Sequence, residues 1–262
     1  MGKIEKPYIL VTNDDGIHAG GLKALIDIAR SMGNILVVAP DEPQSGMSHA
    51  ITTKVPLRLR KIHVEEGLLI YSCNGTPVDC VKIALNEIGE KKPDLIISGI
   101  NHGSNAATSV VYSATMGAAI EGCLNNIPSA GFSLLDFSAD ADFSSTRKYV
   151  TTIIKNILDH GLPKGTCLNV NIPLNKVREI KGIKICRQNK GYWKEEFDKR
   201  TDPSKKDYFW LTGSFHNVEP EANDTDEWAL QNNYVSVVPV NVDFTAYESI
   251  QYLRNWKLNE EI

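Results

Sequence analysis

Asp14 and Asp15 stand side by side at the end of a short apolar run, Tyr8-Ile9-Leu10-Val11-Thr12-Asn13, and Gly16 follows at once. Two carboxylates held close together repel, so either one keeps a proton or a cation sits between them. A divalent cation bound by oxygens answers that requirement. Asn-Asp, Asp-Asp and Asp-Gly are also ordinary turn chemistry. Position favours a site: in open parallel α/β sheets, ligands bind outside the carboxyl ends of the strands, and this pair lies at such an end.

The elements that must position these groups are legible in the hydrophobic pattern. Tyr8 to Thr12 reads as a strand and Gly16 as a tight turn. Leu22, Leu25, Ile26 and Ala29 form the apolar stripe of a helix. Asn34 to Ala39 is a continuous apolar run, as in a strand buried on both faces, and Pro40 ends it. Strand, helix and strand make a right-handed βαβ unit. The polar loop Asp41 to Thr53 then emerges at the same sheet edge as Asp14, which brings Ser45 and Ser48 within reach of one cavity. Leu57 to Ile62 and Leu68 to Ser72 read as a hairpin turning at Glu65-Glu66-Gly67.

Asn74-Gly75-Thr76-Pro77-Val78-Asp79 carries the marks of a helix start: Thr76 as cap, Pro77 in the first turn and Asp79 as the favoured acid. Asp94 to Ser98 is another buried strand. Gly99-Ile100-Asn101-His102-Gly103-Ser104-Asn105 follows, then Tyr112 to Gly117 and a helix through about Asn125. Glycines admit backbone N–H groups close to phosphate oxygens, and a helix N-terminus favours negative charge. The pattern is neither a Walker A nor a G-x-G-x-x-G motif, and a surface loop with a helix cap would use the same residues. Ser129 to Leu134 and Thr166 to Ile172 read as strands, and Thr146 to His160, closed by Gly161, as a helix. Residues 1–175 thus predict an α/β core with a mostly parallel sheet.

Beyond Lys176 the pattern changes. Tyr192, Trp193, Phe197, Tyr208, Phe209 and Trp210 lie among polar residues and turn signals. Hairpins projecting from the core fit this stretch. Their aromatics suit contact with a second copy of the chain, or a lid over the site. Tyr234 to Val240 reads as a last core strand, and Thr245 to Trp256 as a helix with a Tyr247, Ile250, Leu253 and Trp256 stripe.

Composition narrows the function. The chain has 262 residues, 42% hydrophobic and 23% charged, with net charge −4. No basic footprint points to nucleic-acid polymers or membranes. No apolar run is long enough to span a bilayer. The N-terminus through Pro7 is short and polar, with no signal-peptide core. The five cysteines, with no C-x-x-C pair, read as buried reduced thiols of a cytoplasmic protein.

Several motifs, taken together and in order, resemble the survival protein SurE family. They are Asn13-Asp14-Asp15-Gly16, Ala39-Pro40-Asp41 with Gln44-Ser45-Gly46, Asn74 to Cys80, Ser98 to Asn105, and Tyr112-Ser113-Ala114-Thr115. Thr225-Asp226 and Tyr234 to Pro239 fit as well. The resemblance implies a metal-dependent phosphatase of nucleoside monophosphates, a 5'-nucleotidase, on a Rossmann-like core. It implies one divalent metal per subunit, Mg²⁺ or Mn²⁺, with ligands at Asp14, Asp15, Ser45 and Asn101. An Asp14 or Asp15 oxygen would orient or deprotonate the attacking water. Asn13, Gly103, Ser104, Asn105, Ser113 and Thr115 would cradle the phosphate. Homodimers or homotetramers built through residues 176–262, by exchanged C-terminal elements and the projecting hairpin, are also implied. The sequence departs from the family's usual Gly at Ala114 and usual Pro at Gly20. A methyl group at 114 would narrow the phosphate pocket.

Two other readings remain open on the sequence. A haloacid-dehalogenase-like phosphatase would use Asp14 as covalent nucleophile, though the D-x-D spacing is missing. A regulatory module would bind nucleotides without turnover. His18, His49 and His102 all lie on the candidate loops, each a potential proton donor to a leaving group or simply a surface histidine.

Overall fold

A computed structural model describes residues 6–138, 140–174, 179–256 and 258. Strand β1 (Tyr8–Thr12) leads through the Gly16 turn into helix α1 (Gly20–Ala29) and strand β2 (Asn34–Pro40). β1 and β2 are parallel, with Leu10 beside Leu36. The hairpin β3 (Leu59–Glu65) and β4 (Leu68–Cys73) turns at Gly67, whose φ of +74° suits a residue without Cβ. Helix α2 (Pro77–Ile83) opens with a complete capping box: Thr76 accepts from the Asp79 N–H, and Asp79 accepts from the Thr76 N–H.

Strand β5 (Leu95–His102), helix α3 (Ala114–Leu124), strand β6 (Ser129–Leu134), helix α4 (Arg147–His160) and strand β7 (Thr166–Ile172) complete the alternating part. Strand β8 (Gly182–Ile185), the long pair β9 (Gly191–Thr201) and β10 (Asp207–Asn217), helix α5 (Asp226–Gln231), strand β11 (Tyr234–Asn241) and helix α6 (Tyr247–Arg254) follow.

Nine strands form one sheet in the order β3-β4-β2-β1-β5-β6-β7-β11-β8. From β4 to β7 neighbours run parallel; β3 and β11 are antiparallel to β4 and β7, and β8 is parallel to β11. The fold is the expected α/β, Rossmann-like sheet, with the β9–β10 pair standing apart as a separate antiparallel arm. Strands from both sides of residue 176 share the main sheet, because β11 inserts between β7 and β8. One face packs on α1 and α4 through Leu22, Leu25, Val150 and Ile154, and the other on α2 and α3 through Val81 and Ala118.

Topology places the site. The chain runs outward from β1 through β2 to β4, then returns to β5 on the opposite side of β1. The order therefore reverses between β1 and β5, and the crevice outside their carboxyl ends is the ligand position of such sheets. β5 also runs further than its apolar core indicates. Its register against β6 shifts between Ser98 and Asn101, and the strand continues to His102. A bulge of this kind re-aims the side chains that follow it. Gly99 permits it, with φ +123° and no room for a Cβ, which would meet the Phe132 carbonyl oxygen at 2.3 Å.

β8 and α5 are absent from the sequence reading. β8 is an edge strand of four residues and α5 a helix of six, both too short to carry a clear period. The α6 stripe is present but uncovered: none of its described residues is buried in the single chain.

Helix α1 sits close enough to β5 that a Cβ at Gly21 would fall 1.9 Å from the Ile100 carbonyl oxygen. Backbone cannot move aside cheaply. Gly21→Ala is expected to destabilise the fold by about 1–3 kcal/mol, as overpacking does. The check is the denaturant midpoint; an unchanged midpoint would mean that α1 does not approach β5 this closely.

Candidate active site

Three chain segments meet at the switch point. The first is the end of β1. Asp14 is 4% exposed, and its Oδ1 accepts a hydrogen bond from Thr115 Oγ1 at 2.5 Å. Thr115 lies in the first turn of α3, so the helix N-terminus faces the carboxylate with the dipole sign that suits it. Asp15 turns the other way, accepting from the His102 N–H at 3.3 Å and so tying β1 to β5. Asn13 is fully buried and donates to the Gly16 carbonyl at 2.9 Å, which fixes the turn; its Oδ1 has no partner among the described residues.

The second segment carries Ser45. The Gln44 N–H donates to the Asp14 carbonyl at 2.7 Å, strapping this loop to the end of β1. Its far end is held by α2: the Thr52 N–H donates to Asp79 Oδ1 at 3.0 Å, and Thr76 Oγ1 donates to the Ala50 carbonyl at 2.7 Å. Asp79 thus caps a helix and anchors the Ser45 loop with one buried carboxylate.

The third segment is the end of β5 and the loop after it. The Asn101 Nδ2 donates to the carbonyls of His102 and Gly103 at 3.2 and 2.9 Å, which orients the amide with its oxygen on the other side. Asn105 is locked in a network of buried amides. Its N–H donates to Asn171 Oδ1, its Nδ2 to Ser133 Oγ, and its carbonyl accepts from Asn169 Nδ2, each at 2.8 Å. Two residues on, Ala107 N–H donates to Asp226 Oδ2 at 2.8 Å, while Asp226 Oδ1 accepts from Asn189 N–H at 2.9 Å. Asp226, at the start of α5, therefore joins the site loop to the base of the arm.

A cavity of about 540 Å³ lies among these segments, within the range of small-ligand sites. Of the expected residues, Asp14, Ser45, Asn101, Asn105 and Ser113 line it. Asn13, Asp15, Gly103, Ser104 and Thr115 are not among its lining residues, and Ser104 caps its own turn by accepting from the Ala106 N–H. Ala114 is fully buried, so its methyl group does not face the cavity. His102 lines it, whereas His18 and His49 lie in separate grooves. Because a carbonyl can only accept, the contact of His102 Nδ1 with the Ser138 carbonyl at 3.1 Å places a proton on Nδ1. The arm also contributes: Trp193, Glu195, Leu211, Thr212 and Gly213 close one side, with Ser109 and Tyr112. Ser109, Glu195, Leu211, Thr212 and Gly213 carry no local signal for the site, because their proximity to it is purely tertiary.

The donors suit a hard cation. They are carboxylate, hydroxyl and amide oxygens from separate loops, which fit Mg²⁺ or Mn²⁺ better than Zn²⁺. Among the described residues no cluster of three or more His, Cys, Asp or Glu is arranged to hold a metal. The five cysteines are free and buried.

Residues 9–195 match the sequence profile of the survival protein SurE family. The chain belongs to the SurE family. It is 55% identical to the 5'-nucleotidase SurE of Christiangramia forsetii, across 98% of this chain and 99% of that one. The relative of the same name from Flavobacterium psychrophilum is also 55% identical, across 98% of this chain and all of the other. The crystal structure of the SurE protein from Aquifex aeolicus superposes with a TM-score of 0.82 at 38% identity, covering 96% of this chain and all of that one. Membership accounts for the order of the SurE motifs, and those around Asp14, Ser45, Asn101 and Ser113 line the switch-point cavity. No helix among the described residues is long and apolar enough to cross a membrane.

Burial, more than the neighbouring Asp15 charge, pushes the Asp14 carboxyl from 3.8 up to about 7, and the Thr115 hydrogen bond opposes that rise. Without metal, the folded chain then holds this proton more tightly than the unfolded one. The stabilisation is complete below pH 4 and is lost as pH climbs to about 7. Asp14→Asn cannot ionise. In chelator its unfolding midpoint is expected to gain on wild type across that window; a constant difference from pH 4 to pH 8 would contradict the assignment.

Proposed function

We infer that the chain is a 5'-nucleotidase, a phosphoric monoester hydrolase that releases nucleoside and phosphate from nucleoside monophosphates. The observation that carries this reading is the buried Asp14 carboxylate, facing a cavity that Ser45, Asn101 and the N-terminus of α3 share. The full-length relatives named 5'-nucleotidase SurE support it.

Asp14, Asp15, Ser45 and Asn101 would hold one divalent cation, Mg²⁺ or Mn²⁺. Bound there, it would draw charge from a phosphoryl oxygen and acidify a water molecule. The remaining work belongs to the chain. Asn105 and Ser113 meet the phosphate at the cavity wall, with Gly103, Ser104 and Asn13 setting the backbone around them. Thr115 keeps Asp14 aimed inward. Asp15 sits between the end of β1 and the His102 backbone, where an oxygen can orient or deprotonate the attacking water. His102, with Nδ1 engaged by Ser138, has Nε2 left to carry a proton to the departing alkoxide.

Two further expectations join this proposal. α6 leaves Tyr247, Tyr252 and Trp256 more than half exposed, and the arm does the same with Phe197, Phe209 and Trp210. Surfaces of this kind suit self-association, as a homodimer or homotetramer. The free, buried cysteines suit the cytoplasm.

The test is hydrolysis of AMP with Mn²⁺, with Mg²⁺ and with EDTA. Phosphate release is expected with metal and not with EDTA. Asp15→Asn is expected to lower kcat by at least about 10²-fold while the far-ultraviolet spectrum stays native. Tight AMP binding without phosphate release would favour a regulatory module instead. A trapped phospho-aspartate at Asp14 would favour the covalent route.

A further inference from the structure

We propose that the inner face of the β9–β10 arm selects the substrate: Trp193 stacks on the base, and Glu195 restricts the pocket to a single phosphate. The proposal rests on the nucleotidase reading above and names what decides its specificity.

The cavity has two chemically different ends. Asp14, Ser45 and Asn101 lie at the strand ends, while Trp193 and Glu195 belong to the arm. Side chains alternate along a strand, so Trp193 and Glu195, two residues apart on β9, share one face. Across the ladder Trp193 opposes Phe215 and Glu195 opposes Gly213. Gly213 carries no side chain, so the wall beside Glu195 stays open.

Trp193 is held in place. Its indole N–H donates to Ser109 Oγ at 3.3 Å, reaching from the arm to the loop before α3. Phe215 packs edge-on against it, with ring centroids 6.2 Å apart and planes at 65°. Trp193 as a residue remains 43% exposed, and Tyr112, 60% exposed, also lines the cavity. An indole fixed at its edge and partly exposed at the cavity wall suits a flat heteroaromatic ring, and such stacking tolerates any base.

Charge sets the second limit. Among the described residues lining the cavity there is no Lys or Arg, and His102 is the one side chain able to carry positive charge. One phosphate at the strand ends would meet the N-terminus of α3 and a cation held by Asp14, Ser45 and Asn101. With a nucleoside diphosphate, the terminal phosphate takes that place and the α-phosphate lies outward. It would find no compensating cation and would face Glu195, which has no ion-pair partner among the described residues. Unpaired like charges are an effective means of rejecting a competing ligand.

The experiment measures steady-state hydrolysis of AMP, ADP and ribose 5-phosphate with Mn²⁺ by wild type, Trp193→Ala, Trp193→Phe, Glu195→Gln and Glu195→Lys. Trp193→Ala is expected to raise KM for AMP about tenfold, as loss of a base stack does. KM for ribose 5-phosphate, which has no base, should move by less than about threefold, and Trp193→Phe should recover most of the loss. Glu195→Lys should raise the ADP-to-AMP ratio of kcat/KM about tenfold, with Glu195→Gln in between. Equal losses on AMP and ribose 5-phosphate, or an ADP-to-AMP ratio common to all variants, would overturn the proposal with the nucleotidase reading intact. Wild type inactive on AMP would instead overturn that reading, and this proposal with it.

Discussion

A carboxylate buried at the end of a strand is unfavourable by itself, and the polar architecture of this chain is arranged around that penalty. Asp14 has almost no contact with solvent. It is compensated by one short hydrogen bond from Thr115 and by the N-terminus of α3. Burial still raises its proton affinity. A site that must shed this proton before binding a cation couples metal uptake to pH. The switch point between β1 and β5 supplies the opening through which the cation and a phosphate would enter.

The loops around Asp14 are held by buried side chains more than by their own turns. Asp79 holds the Ser45 loop from α2. The Asn105, Asn169, Asn171 and Ser133 amide network fixes the loop after β5 from the ends of β6 and β7. Asp226 then fastens that loop to the arm. Its own carboxyl is pushed up by burial and pulled back by three backbone N–H donors, and such a satisfied buried group rigidifies its surroundings. The cavity is consequently preorganised by residues far apart in the chain, which is what a site for a small charged substrate needs.

Local physics explains how much could be read from the sequence. The apolar runs of β1 and β2 lie in a sheet covered on both faces, so they appear as continuous hydrophobic stretches. The capping residues Thr76 and Asp79 announced α2 because the box closes within one turn. The bulge in β5 was not legible, since a shift at Gly99 depends on the carbonyl of Phe132 across the ladder. Among the candidate site residues, carboxylates at a strand end could be placed by the topology rule. The distinction between lining and supporting residues could not: Ser113 and Thr115 are two positions apart, yet one lines the cavity and the other does not. Trp193 was read as an arm aromatic for a partner or a lid, and its bond to Ser109, 84 residues away, had no local signal.

The arm and α6 expose aromatic surface, while the arm's inner face borders the cavity of its own chain. One hairpin can therefore serve both assembly and recognition, with Trp193 and Glu195 beside the cavity near its base and Phe197 and Phe209 exposed further toward its tip. All of this presupposes that oxygens from three loops converge on a single cation. The most direct measurement is a calorimetric titration of the metal-free chain with Mn²⁺ near pH 7.5. One site per chain is expected in wild type, with binding lost in Asp14→Asn and weakened in Asn101→Ala. An unchanged stoichiometry and affinity in both variants would contradict the account.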